Sequence, residues 1–173
     1  MKEYLKPFEN TKNQLKHYVT IDFLKNHPHK IKRCAEIWLE VLGKIWVPEV
    51  TLDQVVENLH NHLNDNQLPI TFVALDDEVP VGMCSLRKND GILPNLMPWL
   101  GSLVVDPVYQ KQGIGNKLVE VTKLKAQELG FDTLHLFAFD ATIPEYYQRL
   151  GWNIISMDNF KRHPVTVMQC LLI

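Results

Sequence analysis

The stretch "VVDPVYQKQGIGNKLVEV", Val104–Val121, decides how this chain is read. An apolar run breaks at Asp106-Pro107, passes through Gln110, Lys111 and Gln112, and resumes after Gly113 and Gly115 with apolar residues at helical spacing. That is a strand, a turn and the start of a helix. A helix start leaves about four backbone N–H groups without intrahelical partners, and its dipole favours an anion. Without Cβ atoms, Gly113 and Gly115 would let a pyrophosphate approach the main chain closely. A glycine-eased turn that packs the helix on its strand accounts for the same residues equally well. Two nucleotide fingerprints fail here. The dinucleotide motif needs a third glycine where Leu118 stands, and the P-loop fails because Val108 precedes Gly113 at the required distance and Asn116 follows Gly115.

Outward from this stretch the pattern alternates between strands and helices. "HYVTIDF" (His17–Phe23) alternates as a strand. From His29 to Trp46, Ile31, Cys34, Ala35, Trp38, Val41, Leu42 and Ile45 fall on one helical face, closed by Pro48. Thr51 caps a second helix carrying Leu52, Val55, Val56, Leu59 and Leu63. "ITFVALDDEVPVGMCSLRK" reads as two strands around Asp76-Asp77-Glu78. A strand over Trp99–Val105 precedes a helix from about Gly113 to Leu129, which Gly130 stops. "TLHLFAF" is a strand, and Pro144 opens a short helix to Leu150. Strands over Trp152–Met157 and Val165–Leu172 finish the chain. Mixed hairpins and crossovers of this kind predict an α/β sheet, partly antiparallel and partly parallel.

The 173 residues fit one domain, with 1–16 as an N-terminal extension. Apolar residues at 46% support a real core. A formal net charge of −2 gives no electrostatic case for nucleic acid or an anionic membrane. No apolar run has the length of a membrane span, and the polar start "MKEYLKPFENTKNQLKHY" lacks a signal-peptide core, so a cytoplasmic location is expected. Cys34, Cys84 and Cys170 form no CxxC pair and read as small hydrophobes. His60 and His62, two apart on a helix, cannot share a metal, and no metal is expected. His27 and His29 flank Pro28 and read as solvated turn residues.

Downstream, "PEYYQRLGW" (Pro144–Trp152) puts two tyrosines on the short helix. A phenol with a pKa near ~10 can give a proton to a departing thiolate; taken alone, Tyr146 and Tyr147 read more readily as aromatics at the core's edge. Taken together, the two segments resemble the GNAT superfamily of acetyl-coenzyme A-dependent N-acetyltransferases. The first matches its Gln/Arg-x-x-Gly-x-Gly/Ala signature, and the second its aromatic-Tyr pair followed by Gly and an aromatic, Gly151-Trp152. Asp106-Pro107 and Tyr109 also look like this family.

The resemblance implies a single-domain fold with a mixed central sheet of about seven strands and about four helices, splayed between the fourth and fifth strands. It implies acetyl-coenzyme A as cosubstrate, held along Leu103, Val104 and Val105 by its pantetheine arm. The pyrophosphate would sit on Gln110, Lys111, Gln112, Gly113, Ile114, Gly115 and Asn116, with Lys111 or Lys117 as the candidate side-chain contacts. The N–H near Val105 would polarise the thioester carbonyl. Tyr147 would be the general acid toward the leaving thiolate, and an amine acceptor would attack directly. Asp140 stands where the family often has an Asn beside pantetheine, and reads equally as a turn residue.

Many members carry an acidic base just before the strand's Leu-x-Val; here Gly101 and Ser102 stand there, leaving the base to ordered water or Asp140. The acceptor side would be built from about Trp38 to Leu68, Asn89 to Trp99 and Ser156 to His163. Trp38, Trp46, Trp99 and Phe160 are candidate pocket residues, with buried packing favoured for at least Trp38. A monomer or homodimer is expected. The rival reading, prompted by the missing acid, is a non-catalytic acyl-coenzyme A sensor or scaffold. A nucleotide-binding switch is weaker, since both fingerprints fail.

Overall fold

Ile70–Asp76 is buried along its whole length, with Phe72 and Ala74 in one apolar cluster and Val73 and Leu75 in another. Alternate residues feeding two cores mark a strand enclosed between helical layers. The computed structural model describes Phe8–Asn10 and residues 17–173. Its strands are β1 (Phe8–Asn10), β2 (His17–Phe23), β3 (Ile70–Asp76), β4 (Val79–Arg87), β5 (Trp99–Val105), β6 (Thr133–Ala138), β7 (Asn153–Phe160) and β8 (His163–Leu171). They form one sheet in the order β1-β2-β3-β4-β5-β6-β8-β7. The seven strands expected from the sequence are all present, and β1 adds a short edge. The rest of the 1–16 extension lies outside the described residues.

One face is covered by α1 (Ile31–Trp38) and α3 (Leu52–His60), which pack Ile31, Cys34, Ile37, Val55 and Leu59 on Val73, Leu75, Met83 and Val104. Between them, a π turn over Leu39–Gly43 leads into α2 (Lys44–Trp46). The sequence pattern showed one continuous helix here. Gly43 lets this turn pack on Trp38, because a Cβ there would lie 2.7 Å from the Trp38 ring. The capping box of α3 is complete, Thr51 accepting from the Gln54 amide and Gln54 from the Thr51 amide. The opposite face carries α4 (Ile114–Glu128) and α5 (Ile143–Arg149), whose Ile114, Leu118, Val121 and Tyr147 join Phe72, Leu86, Leu134 and Met168.

All neighbouring strands are antiparallel except β5 and β6, which are parallel and share a single register pair, Trp99↔His135. The sheet therefore opens beyond that point. A bulge contributes to the opening. The β4–β5 register shifts between Met83↔Val104 and Ser85↔Gly101, leaving one extra residue on β5, and Ser102 sits at φ +50°. An extra residue bends its strand and increases local twist.

Candidate active site

The loop after β5 is tied down before it reaches α4. One Asp106 oxygen accepts the Val108 amide at 3.0 Å, and the other takes Arg33 at 2.7 Å. The Tyr109 hydroxyl donates to Asp76 at 2.9 Å, and Gln110 Nε2 donates to the Val105 carbonyl at 3.0 Å. Lys111 and Gly113 then turn the chain at φ +61° and +84°. The Lys117 amide bonds the Gly113 carbonyl at 3.1 Å, so the amides of 114–116 precede the first intrahelical bond. No acidic residue occupies this first turn. Ile114 turns its side chain into the core, leaving only its main chain toward the loop.

The two glycines prove to differ. Gly113 is required by its left-handed φ, and a Cβ there would meet nothing within 4 Å. At Gly115 a Cβ would meet only Val105 Cγ2, at an ordinary 3.8 Å. Packing of helix on strand therefore does not demand Gly115, and a Cβ on Gly113 would stand in open space. These residues fit a pyrophosphate.

Along β5 the Asp106 amide donates to the Val81 carbonyl at 2.8 Å, facing β4. By strand alternation the main chains of Leu103 and Val105 face the opening toward β6. The Val104 side chain is buried against the α1 and α3 layer, and Leu103 and Val105 pack toward α4.

Tyr147 lines the opening from α5. The "LGW" that follows has a local reason. Gly151 at φ +87° ends the helix, and the Trp152 amide returns to the Tyr147 carbonyl at 3.0 Å. The Trp152 and Tyr146 rings then stand edge-on to Tyr147, at 5.7 and 5.3 Å. Burial, with Cys84 and Tyr146 nearby, pushes the Tyr147 phenol well above its ordinary pKa, so it keeps its proton. The Tyr146 hydroxyl donates to Asn116 Oδ1, joining the two sequence motifs in space.

Between β5 and β6 lies a cleft of about 500 Å³. Its far wall is aromatic: Trp38, Trp46, Phe137, Phe139 and Phe160. Trp46 stacks on Phe139 at 4.7 Å and 7°. Sequence reasoning offered both Trp38 and Trp99 to the pocket and favoured packing for Trp38. The structure exchanges them. Trp99 is fully buried, its indole N–H on the Leu96 carbonyl, while Trp38 borders the cleft and donates to Ser102 Oγ at 3.1 Å.

Phe137, Phe139 and Arg87 were missed as cleft residues, and Asp90, inside the Asn89 to Trp99 stretch expected on the acceptor side, was not singled out as an acid; "TLHLFAF" and "RKND" carry no signal of their own. Arg87 bonds both Ser102 Oγ and Asp90. Asp140 lies at the mouth, where one carboxylate oxygen accepts the Thr142 amide at 2.8 Å and its hydroxyl at 2.7 Å. Those bonds hold its pKa below the usual value.

The remaining tempting groups are structural. His62 is buried against Thr71 at 2.8 Å, and burial with Arg87 nearby pulls its pKa down to about 3. His27 is paired with Asp22 at 2.9 Å, a correction to its reading as a solvated turn residue. Cys34, Cys84 and Cys170 are buried, and desolvation raises all three thiols. Among the described residues no group of three or more His, Cys, Asp or Glu could hold a metal, and no helix is long and apolar enough to cross a membrane.

Residues 67–154, just over half of the chain, match the acetyltransferase (GNAT) domain family. The chain belongs to that family, and the protein is an acyltransferase. Similar solved structures include an aminoglycoside 6'-acetyltransferase type Ii (22% identity, TM-score 0.69, 88% of this chain and 97% of that one). An aminoglycoside 6'-N-acetyltransferase complexed with coenzyme A has 20% identity and TM-score 0.68, with 88% and 97% covered. The ribosomal-protein-S18-alanine N-acetyltransferase from Escherichia coli has 18% identity and TM-score 0.67, with 89% and 94% covered. At such identities the likeness is one of fold. No curated protein sequence matches the chain.

Proposed function

We propose that the enzyme moves an acetyl group from acetyl-coenzyme A to a primary amine by direct attack of the amine. The observation that carries this reading is a continuous path. It runs from the amides of the first turn of α4, along the open main chain of Leu103 and Val105, to Tyr147 in the cleft. Bound acetyl-coenzyme A supplies an acyl group activated on sulfur and a thiol leaving group. The amides of Gln112 to Asn116 bind its pyrophosphate, with the helix dipole behind them. Leu103 and Val105 pair with the pantetheine amides as an added strand would. The Gln110 side chain takes the Val105 carbonyl, fixing the strand's end and leaving the Val105 N–H to polarise the acyl carbonyl. Tyr147, protonated by virtue of its burial, donates to the departing sulfur. The coenzyme A complex of a structural neighbour lends support to the cosubstrate.

The test is thiol release from acetyl-coenzyme A across a panel of amines. Tyr147→Phe is expected to lower kcat by ~10²–10⁴-fold, the usual worth of a positioned acid. With its pKa raised, Tyr147 should cause no alkaline fall in kcat below about pH 10. An unchanged rate in the Phe variant would remove Tyr147 from this role. Coenzyme A binding without turnover on any amine would favour a sensor or scaffold.

A further inference from the structure

Of the two β5 positions expected to carry an acid in this kind of site, Gly101 and Ser102, the first has no side chain, yet its side-chain space is not empty. A Cβ built on Gly101 would lie 2.9 Å from Asp90 Oδ1 and 3.0 Å from Oδ2. The carboxylate of Asp90, from the loop after β4, therefore occupies the volume that a residue 101 side chain would fill. Asp90 is 11% exposed and lines the cleft together with Tyr147. Its orientation is fixed. Arg87 Nη1 donates to Oδ1 at 2.9 Å, Arg87 also bonds Ser102 Oγ, and Trp38 bonds the same oxygen from the other side. Burial raises the Asp90 pKa and the Arg87 guanidinium opposes that rise.

We propose that Asp90 is the base of the reaction, binding the acceptor's ammonium and taking a proton from it, and that the acceptor carries this single cation on an apolar or aromatic body. This inference rests on the acetyltransferase reading. One buried carboxylate in an aromatic-walled cleft suits one ammonium. It suits a polycation less well, because the other acid lining the cleft, Asp140, is exposed at its mouth and already held by Thr142. The other charged and titratable groups along this cleft are Arg87, paired with Asp90, Lys161, tied to Glu49 at 2.9 Å, Asp140 at the mouth, and Tyr147. His62 stands behind Arg87.

The step balances. One ammonium proton passes to Asp90, and the freed lone pair forms the N–C bond to the acyl carbon. The C–S bond breaks with its electrons on sulfur, which takes the Tyr147 proton. The second proton lost from nitrogen restores the Tyr147 phenol, and Asp90 releases its own to solvent. Each turnover yields one acetamide, one thiol and one net proton.

Phenethylammonium is titrated into the coenzyme A-loaded protein by calorimetry, and phenethylamine is then used as acceptor with acetyl-coenzyme A. Asp90→Asn is expected to weaken amine binding about 10- to 100-fold, the span for losing a hydrogen bond to a charged group. Coenzyme A affinity should stay unchanged. In the parent, kcat/KM should rise with pH on a limb that Asp90→Asn lacks. Asp90→Ala should be nearly inactive, and Asp90→Ala/Gly101→Glu, which returns a carboxylate to the same space, should regain activity.

Equal amine binding and an identical pH profile in Asp90→Asn would overturn the inference. So would failure of phenethylammonium to bind the loaded parent, or better turnover of spermidine than of phenethylamine. A parent that binds no coenzyme A at all would overturn the acetyltransferase reading and this inference with it, a result distinct from the others.

Discussion

The two walls of the cleft are built by opposite means. The wall proposed for the cofactor is main chain: the amides of the first turn of α4 and the open edge of β5, shaped by Gly113 and Gly115. The wall proposed for the acceptor is side chain: Trp38, Trp46, Asp90 and Phe139, delivered by four separate segments and cross-braced by Arg87 and Ser102. A ligand bound by main chain constrains backbone angles and Cβ clearance, so it writes glycines at fixed spacing into the sequence. A ligand bound by side chains constrains only where distant residues meet. One wall should consequently tolerate side-chain changes and resist backbone ones, and the other should do the reverse.

The largest effect should come from a backbone change on the cofactor wall. Gly113→Val forces a branched residue into φ +84°, which disfavours L residues by roughly 1–2 kcal/mol, and displaces the amides that follow. Coenzyme A affinity by calorimetry is expected to fall about 100-fold, the scale of an ångström-sized misplacement. Gly115→Ala serves as the contrast. Its Cβ makes only an ordinary contact with Val105, so thermal stability should hold while coenzyme A binding weakens. A fall in melting temperature at Gly115 with coenzyme A affinity intact would make this glycine structural and erase the difference between the walls.

Acid should act behind the side-chain wall, at His62. His62 is kept neutral by burial and by Arg87, with its pKa lowered to about 3. The unfolded chain binds that proton near pH ~6.5, so between there and about 3 it holds more protons than the native state. Stability therefore rises with pH across this window and is lost as pH falls through it, by up to about 1.4 kcal/mol per pH unit. Denaturant melts at pH ~7 and ~5 should differ less for His62→Gln, whose amide can still meet Thr71, than for the parent. Parallel pH slopes in the two proteins would show that His62 does not carry the effect.

The same division governs what could be read from the sequence. The strand Trp99–Val105, the turn through Gly113 and the helix stop at Gly151 were legible because glycine and proline mark backbone geometry directly. The bulge at Ser102 was not, since a serine at φ +50° carries no local mark and is held by Trp38 and Arg87 from elsewhere. Trp38 and Trp99 were exchanged because apolar period does not tell a core ring from a cleft ring. Trp99 lies at the one point where β5 and β6 still pair, and is sealed there beside His135. Asp90 escaped because the search for an acid followed the strand position, whereas the carboxylate arrives through space from the preceding loop.

Asp140 sits where the walls meet, and the smallest effect is expected from it. Its resemblance-based place beside pantetheine competes with its observed bonds, in which one oxygen accepts both the amide and the hydroxyl of Thr142. It is exposed, and those bonds hold its carboxyl below the ordinary pKa by stabilising the ion within its own turn. Asn at this position preserves the turn's acceptor while removing the charge. Asp140→Asn should therefore shift coenzyme A affinity by less than about twofold, as befits exposed charges that contribute little, and should leave the pH limb assigned to Asp90 in place. A loss of that limb in Asp140→Asn, with coenzyme A still bound, would transfer the base from the loop to the mouth of the cleft. The acceptor wall would then begin at β6 instead of β4.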